Sequence, residues 1–276
     1  MIRYSCHSEN FGILSAEHTF SLIHDLQFDC IDIASRSLIP QNQIQADPAA
    51  TSAYLKDLSQ RYELPLSELF LSEVEVNGEK IRPACASSIS ESFCHAFRSI
   101  CQFAQNAGFL SIMGSAGPYD PALSYHANFL KTSWALNQQV KIASEYGLRF
   151  HVEPSRHSLL NTVPNALYML ELVPDLRYTL DFLHYQFSRT PLEESMKLLP
   201  YAGHLHARQA QAGIGKCDIS KGEINYVPIV NALKKMHWHG DIMLEFWCDD
   251  RLSKEGIQAV EQNIVMRYYL KQLFRS

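Results

Sequence analysis

The chain has 276 residues, of which 46% are hydrophobic and 19% are charged, and its formal net charge at pH 7 is −5. This composition allows one large hydrophobic core and disfavours a general nucleic-acid-binding protein, since such proteins usually carry an excess of basic residues. The seven cysteines are odd in number and form no CxxC pair, which disfavours a disulfide framework or a zinc ribbon and fits reduced thiols in a cytoplasmic protein.

Short runs typical of β-strands alternate with helical runs along the whole chain. Eight runs predict strands, at Ile2–Ser5, Cys30–Ala34, Glu68–Ser72, Phe109–Gly114, Arg149–Glu153, Arg177–Asp181, Gly203–Ala207 and Asp241–Phe246. A helical stretch follows each of them, and the stretch from Ser253 to Phe274 predicts the closing helix. These units predict an α/β fold, a (β/α)8 TIM barrel with a parallel, closed, eight-stranded sheet, as a single domain over residues 1–276. A large doubly wound sheet is the alternative, and the lack of a GxGxxG motif after the first strand disfavours it.

Glycines mark several of the predicted boundaries. Gly108, Gly147 and Gly240 each stand between a helical run and a strand, where glycine suits the left-handed residue that ends a helix. The segment Val74–Ile81 predicts a β-hairpin around an Asn77-Gly78 turn. This hairpin would follow the third strand on the active-site side of the barrel, so it either covers a pocket or is a surface decoration.

The C-terminal ends of the strands are where a TIM barrel carries its functional side chains. Strands one to four offer little chemistry there, since they end in Cys6-His7, Ala34-Ser35, Ser72-Glu73 and Gly114-Ser115. The last four strands end differently, in His151-Val-Glu153, Thr179-Leu-Asp181, His204-Leu-His206-Ala-Arg208 and Leu244-Glu245-Phe246. Each of them therefore offers a potential metal ligand near its end.

Period-two alternation places four of these side chains in one layer around an ion: Glu153, Asp181, His206 and Glu245. His151 and His204 would lie one layer deeper and support the ligands or fill space. Three carboxylates and one imidazole suit one divalent metal ion, Mn²⁺, Mg²⁺ or Co²⁺, and also tolerate Zn²⁺. Without the ion, we expect the carboxylates to repel one another and their pKa values to rise.

Each candidate ligand also has a purely structural interpretation. Glu153 and Asp181 can each cap the segment that follows, and His206 can be a buried core histidine with satisfied hydrogen bonds. Glu245 has the weakest structural explanation, because it lies in an apolar run where a lone buried carboxylate is costly.

Further residues are candidates for substrate binding. His184 follows Asp181 by three residues, and Arg208, two residues past the candidate histidine ligand, would point into the mouth of the barrel. Trp247 can form the floor of a sugar-sized pocket, and His7 is a further candidate from the first strand. Arg156 and His157 give a weaker signal and are interpreted as ordinary loop residues. The glycine-containing stretch 212–216 is either an anion-binding loop or an ordinary flexible loop.

At these motifs the chain resembles the xylose-isomerase-like TIM barrels, which include AP endonuclease family 2. The pattern is most similar to the sugar phosphate isomerase/epimerase group, which also includes the ketose 3-epimerases and endonuclease IV. The resemblance implies that Glu153, Asp181, His206 and Glu245 bind the metal and that His184 and Arg208 contact substrate. In ketose epimerases the arginine lies further after the histidine, and a substrate-binding glutamate follows the strand-five ligand where this chain has His157-Ser158.

The implied activity is that of a divalent-metal-dependent isomerase or epimerase of a keto sugar or related polyol, phosphorylated or not, acting through a metal-stabilised enediolate. Glu153 and Glu245 are the expected catalytic bases. A dehydratase or lyase on a similar keto substrate shares the first step, and a non-catalytic barrel that binds a sugar or a protein is the alternative from another class. An endonuclease IV-type nuclease is disfavoured, because that chemistry needs histidines at strands three and four and after strand seven, and this chain lacks them there.

The expected partner is a small carbohydrate, with no nucleic acid and no membrane. The N-terminal residues contain no basic stretch followed by an apolar run, and no window approaches the roughly 18 apolar residues of a membrane span. Homo-oligomerisation through the helical outer faces is possible in this architecture.

Overall fold

The computed structural model describes residues 2–36, 38–71, 73–81, 90–247 and 249–276. Its strands are β1 (Arg3–His7), β2 (Cys30–Ala34), β3 (Leu66–Phe70), β4 (Val74–Val76), β5 (Glu79–Ile81), β6 (Ser111–Gly114), β7 (Arg149–Val152), β8 (Arg177–Asp181), β9 (Ala202–Ala207), β10 (Ala210–Gln211), β11 (Ile214–Lys216) and β12 (Asp241–Leu244). Eight of them pair in parallel and close into a barrel in the order β1-β12-β9-β8-β7-β6-β3-β2. The predicted (β/α)8 barrel is therefore confirmed.

Helices surround this barrel. They are α1 (Ala16–Asp25), α2 (Gln41–Ala46), α3 (Pro48–Arg61), α4 (Glu91–Ala107), α5 (Tyr125–Glu145), α6 (Val163–Leu172), α7 (Phe182–Phe187), α8 (Leu192–Ser195), α9 (Tyr226–Lys235), α10 (Asp250–Lys254) and α11 (Ala259–Arg275). Short 3₁₀ helices occupy Met196–Tyr201 and Ile219–Lys221. The apolar core fills the space between helices and barrel, as where the rings of Phe97 and Phe150 meet edge to face with centroids 5.7 Å apart. Across the described ranges, none of the helices combines the length and hydropathy that a bilayer crossing needs.

Capping side chains explain why many helices begin where they do. The Ser90 hydroxyl accepts a hydrogen bond from the Phe93 N–H at the start of α4, and Thr162 does the same for α6. Asp181 caps α7, because its Oδ1 accepts from the Leu183 N–H at 2.8 Å. These bonds satisfy N–H groups of the first turn that have no partner within the helix.

Two of the three predicted glycine helix ends are left-handed, Gly108 with φ +99° and Gly147 with φ +69°. The third prediction is wrong, since α9 ends at Lys235 and the left-handed residue is His237, with φ +50°. Gly240 is there for a different reason: a Cβ at this position would collide with the ring of Trp238.

The predicted closing helix from Ser253 to Phe274 is also wrong in its extent. It is divided into α10 and α11, and Gly256, with φ +76°, lies between them. A left-handed residue cannot continue a right-handed helix, so the chain must turn at that point.

Predicted strand bounds agree fully with the structure in β2 and β8. The first strand runs on to His7, beyond the predicted Ser5, because His7 still pairs with Asp32 of β2. The third strand begins and ends earlier than predicted, at Leu66 and Phe70, and its predicted end, Ser72, lies outside the described residues. In the fourth, fifth, seventh and eighth strands the bounds shift by one or two residues.

The predicted hairpin is confirmed in β4 and β5, which pair antiparallel around Asn77 and Gly78, both left-handed. It is fixed to α2, because the Gln41 side chain donates to the Glu73 carbonyl at 2.7 Å and accepts from the Glu75 N–H at 2.9 Å. The hairpin therefore stands beside the barrel mouth as a wall that α2 holds in place.

Candidate metal centre

The four predicted ligands come together at the C-terminal mouth of the barrel. Glu153 directly follows β7, Asp181 ends β8, His206 lies in β9, and Glu245 directly follows β12. One potential ligand atom from each residue lies within 4.8 Å of those of the other three. The geometry thus brings together the donor set of three carboxylates and one imidazole, while its role as a ligand set stays a prediction.

His206 stands at the centre of this cluster. Its Nδ1 lies 3.2 Å from Oε1 of Glu153 and 3.1 Å from Oε2 of Glu245. Its side chain is 0% exposed, and those of Glu245 and Glu153 are 3% and 15% exposed. Of these two carboxylates, Glu153 is therefore the more accessible to solvent and to a small molecule in the mouth.

Arg208 does not project into an open mouth as the sequence suggested. Its side chain is 6% exposed, and Nη2 lies 2.5 Å from Oδ2 of Asp181 and 3.0 Å from Oε2 of Glu245. Its Nε also donates to the same Asp181 oxygen at 2.8 Å. Asp181 thus combines two roles, because one oxygen caps α7 and the other binds this guanidinium.

The predicted rise in the carboxylate pKa values is wrong for Glu153 and Glu245. Burial by itself raises the pKa of Glu245, but the charges of Arg208 and His206 outweigh burial and lower this pKa from 4.5 to about 2. In the same way, His184 and His206 overcome burial and hold the pKa of Glu153 well below its ordinary value. The sequence-based expectation counted the acids and left out the cations of the same layer.

The imidazole of His206 responds in the opposite direction. Burial lowers its pKa, but the charge of Glu245 and the hydrogen bonds to Glu153 and Glu245 raise it well above its ordinary value of 6.5. A histidine ligand must be neutral, so metal binding at this site would compete with a proton on this ring.

The remaining predicted substrate residues border the cluster. His184, in α7, places Nε2 3.5 Å from Oε2 of Glu153 and 4.0 Å from Oδ2 of Asp181. The ring centroids of Trp247 and His7 are 6.1 Å apart, and Cζ of Arg208 lies 5.4 Å from the centre of the Trp247 ring.

His7 also packs edge to face on Phe70, with ring centroids 5.3 Å apart, and its Nε2 is buried without a hydrogen-bond partner in the described part of the chain. Phe70 in turn stacks on His206 at 6.3 Å. An aromatic wall that the sequence did not indicate therefore continues from Trp247 through His7 to the candidate ligand.

Sequence reasoning missed a second layer of ionisable groups beneath the candidate ligands. Glu68 of β3 lies inside the barrel, where Oε1 is 2.6 Å from Nδ1 of His151 and accepts from the Ser111 hydroxyl at 2.8 Å. Its Oε2 accepts from the Thr179 hydroxyl at 2.7 Å. Since β3 and β8 are not neighbours in the sheet, this last bond crosses the barrel interior.

Asp32 of β2 belongs to the same layer. Its Oδ2 lies 2.8 Å from Nε2 of His204, and Oδ1 accepts from the Ser5 hydroxyl. The expectation that His151 and His204 lie below the metal layer agrees with these positions. The prediction for strands two and three considered only their C-terminal ends and so did not include Asp32 and Glu68, which lie within the strands. The missed signal is the one that marked Glu245, a single carboxylate in an apolar strand, as in Cys30-Ile-Asp32-Ile-Ala34.

Close packing accompanies this inner layer. A Cβ at Gly203, one residue before His204 in β9, would collide with Nε2 of His151. Glycine is therefore required at this position for β9 to pass the imidazole. The packing fixes the ring of His151 between Glu68 and the β9 backbone.

The chain is similar in sequence to known proteins over most of its length. The sequence model of the family described as xylose isomerase-like TIM barrel matches residues 20–267 of the chain. An uncharacterized protein of Methanocaldococcus jannaschii is 25% identical over 237 residues, which are 79% of this chain and 74% of that protein.

Solved structures share the fold over nearly the whole chain. The D-allulose 3-epimerase from Methylomonas sp. superposes with a TM-score of 0.75 and 19% identity, covering 99% of this chain and 98% of that one. The probable 3-DHS dehydratase involved in petrobactin synthesis from Bacillus anthracis superposes with a TM-score of 0.73 and 16% identity, covering 96% and 98%.

Proposed function

Because the chain belongs to the xylose isomerase-like TIM barrel family, we propose that it is a divalent-metal-dependent isomerase or epimerase that acts on a keto sugar or related polyol. The observation that carries this proposal is the convergence of Glu153, Asp181, His206 and Glu245 within 4.8 Å at the barrel mouth. The similarity in fold to a D-allulose 3-epimerase supports the reaction class.

The residues at the mouth fit a divalent metal ion. Three carboxylates and an imidazole form the kind of donor set that Mn²⁺, Mg²⁺, Co²⁺ or Zn²⁺ accepts. We propose that Glu153, Asp181, His206 through Nδ1, and Glu245 hold the ion. When bound, the ion would supply a Lewis acid for a carbonyl and a neighbouring hydroxyl of the substrate, stabilising the negative charge of its enediolate form.

Glu153 and Glu245 are the proposed catalytic acid–base pair. Their lowered pKa values keep both side chains ionised at neutral pH, so either can accept a proton from a substrate carbon. Epimerisation results when the other glutamate first takes up a proton from solvent or from a substrate hydroxyl and then delivers it to the opposite face of that carbon. Return to the adjacent carbon gives isomerisation. His184, beside Glu153, is placed to hydrogen-bond a substrate hydroxyl, and Trp247 and His7 form an apolar wall for the sugar ring.

A dehydratase is the second candidate. It would use the same first proton transfer and then lose a β-hydroxyl from the substrate. The similarity in fold to the probable 3-DHS dehydratase favours keeping it. The two reactions differ in product, because dehydration alone generates a conjugated double bond.

Metal content per chain tests the proposal most directly. We expect about one divalent ion per wild-type chain by elemental analysis, and much less in Glu245→Gln, which keeps the shape but loses a charged ligand. Glu194→Gln, a change of the same kind at a carboxylate 45% exposed on α8, serves as the control and should keep the ion. Keto sugars incubated in deuterium oxide with the metal-loaded protein should then exchange a carbon-bound proton. A wild-type chain that retains no ion even after incubation with Mn²⁺ would contradict the proposal.

A further inference from the structure

Arg156 lies in the loop after β7, three residues beyond Glu153, and its side chain is half-buried at the rim of the mouth. The guanidinium lies over the Phe187 ring at the end of α7, with Cζ 4.4 Å from the ring centre. Its Nη1 faces Gly215 of β11, 3.8 Å from where a Cβ would stand. Arg156 thus lies between the loops that follow β7, β8 and β9, the strands that carry or immediately precede three of the four proposed metal ligands.

The hairpin on the far side of Arg156 is also anchored. The Gly213 N–H, at the turn between β10 and β11, donates to the Phe187 carbonyl at 2.9 Å. The stretch 212–216 is therefore an ordered hairpin packed on α7, and it forms a fixed boundary of the space around Arg156.

The cations near the mouth differ in how their charges are compensated. Arg208 is paired with Asp181 and Glu245. Lys216 lies 3.9 Å from Oδ2 of Asp249 and donates to the Trp247 carbonyl. Arg156 makes no hydrogen bond and no ion pair within the described ranges. A partly desolvated guanidinium without a counterion retains unused donors in a planar fork that matches carboxylate and phosphate groups.

The guanidinium of Arg156 lies close enough to the proposed metal site for its charge to interact with two of the proposed ligands, but it does not contact them. Burial and the charge of Arg208 lower the pKa of Arg156, whereas Asp181 and Glu153 raise it. An anion held by Arg156 would therefore lie beside the part of a substrate that the metal site binds.

We propose that Arg156 binds an anionic group of the substrate, so that the preferred substrate is a keto sugar or polyol that carries a phosphate ester or a carboxylate. This inference rests on the proposed function and names its substrate class. Contact with the Phe187 ring holds the guanidinium in place, and the absence of a side chain at Gly215 leaves space beside Nη1.

Paired neutral and anionic ligands test this assignment by isothermal titration calorimetry on the Mn²⁺-loaded protein. The probes are D-fructose, D-fructose 6-phosphate, D-fructuronate and inorganic phosphate. We expect at least one anionic sugar to bind about tenfold or more tightly than D-fructose, since charge-assisted hydrogen bonds contribute at that level. A preference for the phosphate ester or for the carboxylate identifies which anion the site takes.

Arg156→Gln should abolish the preference for anionic sugars. Arg149→Gln, at the exposed N-terminal end of β7, should keep it. The assignment is overturned if anionic and neutral sugars bind alike and inorganic phosphate does not bind, or if the preference persists in Arg156→Gln. Failure of the proposed function gives a different result from failure of this assignment. In that case the wild-type chain retains no metal ion, whichever residue stands at position 156.

Discussion

Glu245 shows how a buried carboxylate can be tolerated at the barrel mouth. A lone buried carboxylate is costly, and such a group usually shifts its pKa upward and becomes neutral. Here Arg208 and His206 contact Glu245 directly, and the pKa falls instead. The layer is therefore a mixed cluster of charges in which each acid has a nearby cation, and its stability depends on those cations.

Replacing Arg208 tests this dependence. Arg208→Gln leaves Asp181 and Glu245 buried with less compensation, so we expect a loss of roughly 3–5 kcal/mol in the free energy of unfolding of the metal-free protein. We also expect Mn²⁺ to raise the melting temperature more in this variant than in the wild type, because the ion restores the missing positive charge. Thermal unfolding with chelator and with Mn²⁺ measures both effects.

Lys197→Gln, which removes an exposed pair with Glu194, should change the unfolding free energy of the metal-free protein by less than about 1 kcal/mol. Equal stability of the Arg208→Gln variant and the wild type in chelator would show that the guanidinium does not stabilise the cluster.

Strand β9 shows what packing adds at the scale of elements. Its sequence predicts a strand within one residue, and alternation places His204 and His206 on one side, as expected. The imidazole of His151, from β7, can lie against β9 only because Gly203 has no side chain there. Helix ends show a similar limit, since glycine predicts left-handed residues at Gly108 and Gly147 but a histidine takes that conformation after α9.

Adding one methyl group to β9 tests this contact. Gly203→Ala should cost roughly 1–3 kcal/mol of unfolding free energy, the usual range for overpacking, because the imidazole of His151 cannot move without leaving Glu68. Gly215→Ala is the matched control, because its new Cβ would meet only Arg156 at an ordinary distance of 3.8 Å. Urea denaturation of both variants gives the comparison, and an undiminished stability of Gly203→Ala would mean that β9 has room to shift.

The molecule as a whole has an ionisable interior. Burial raises the pKa of Glu68, but the charges of His204 and His151 outweigh it and lower the pKa below its ordinary 4.5. Burial lowers the pKa of His204, but Glu68 and Asp32 raise it above 6.5. By linkage, Glu68 contributes stability that is present above pH 4.5 and is lost as the pH falls towards its folded-state pKa. His204 contributes stability that is present below pH 6.5 and is lost as the pH rises through its folded-state pKa.

The free energy of unfolding should therefore decrease on both sides of a mildly acidic optimum. In Glu68→Gln we expect a protein less stable at pH 6 by roughly 3–5 kcal/mol, since an ionic partner is removed from a buried network. Its stability should also decrease less steeply below pH 4.5. Urea unfolding between pH 3.5 and 8 measures both, with Glu171→Gln on the exposed surface of α6 as the control. If the wild type and Glu68→Gln lose stability in parallel as the pH falls, the acid sensitivity comes from other carboxylates.

The sequence by itself determined the alternation of strands and helices, the hairpin and the four acidic or imidazole side chains at consecutive strand ends. These features depend on local periodicity, which a single sequence displays directly. Only the tertiary structure decided which charges meet. Glu68 and Thr179 are 111 positions apart, and Asp32 reaches His204 only after the sheet closes. Closure also places Arg208 on the carboxylates and so reverses the expected pKa shifts. The sign of an electrostatic shift depends on three-dimensional neighbours, and the pattern along the chain does not record them.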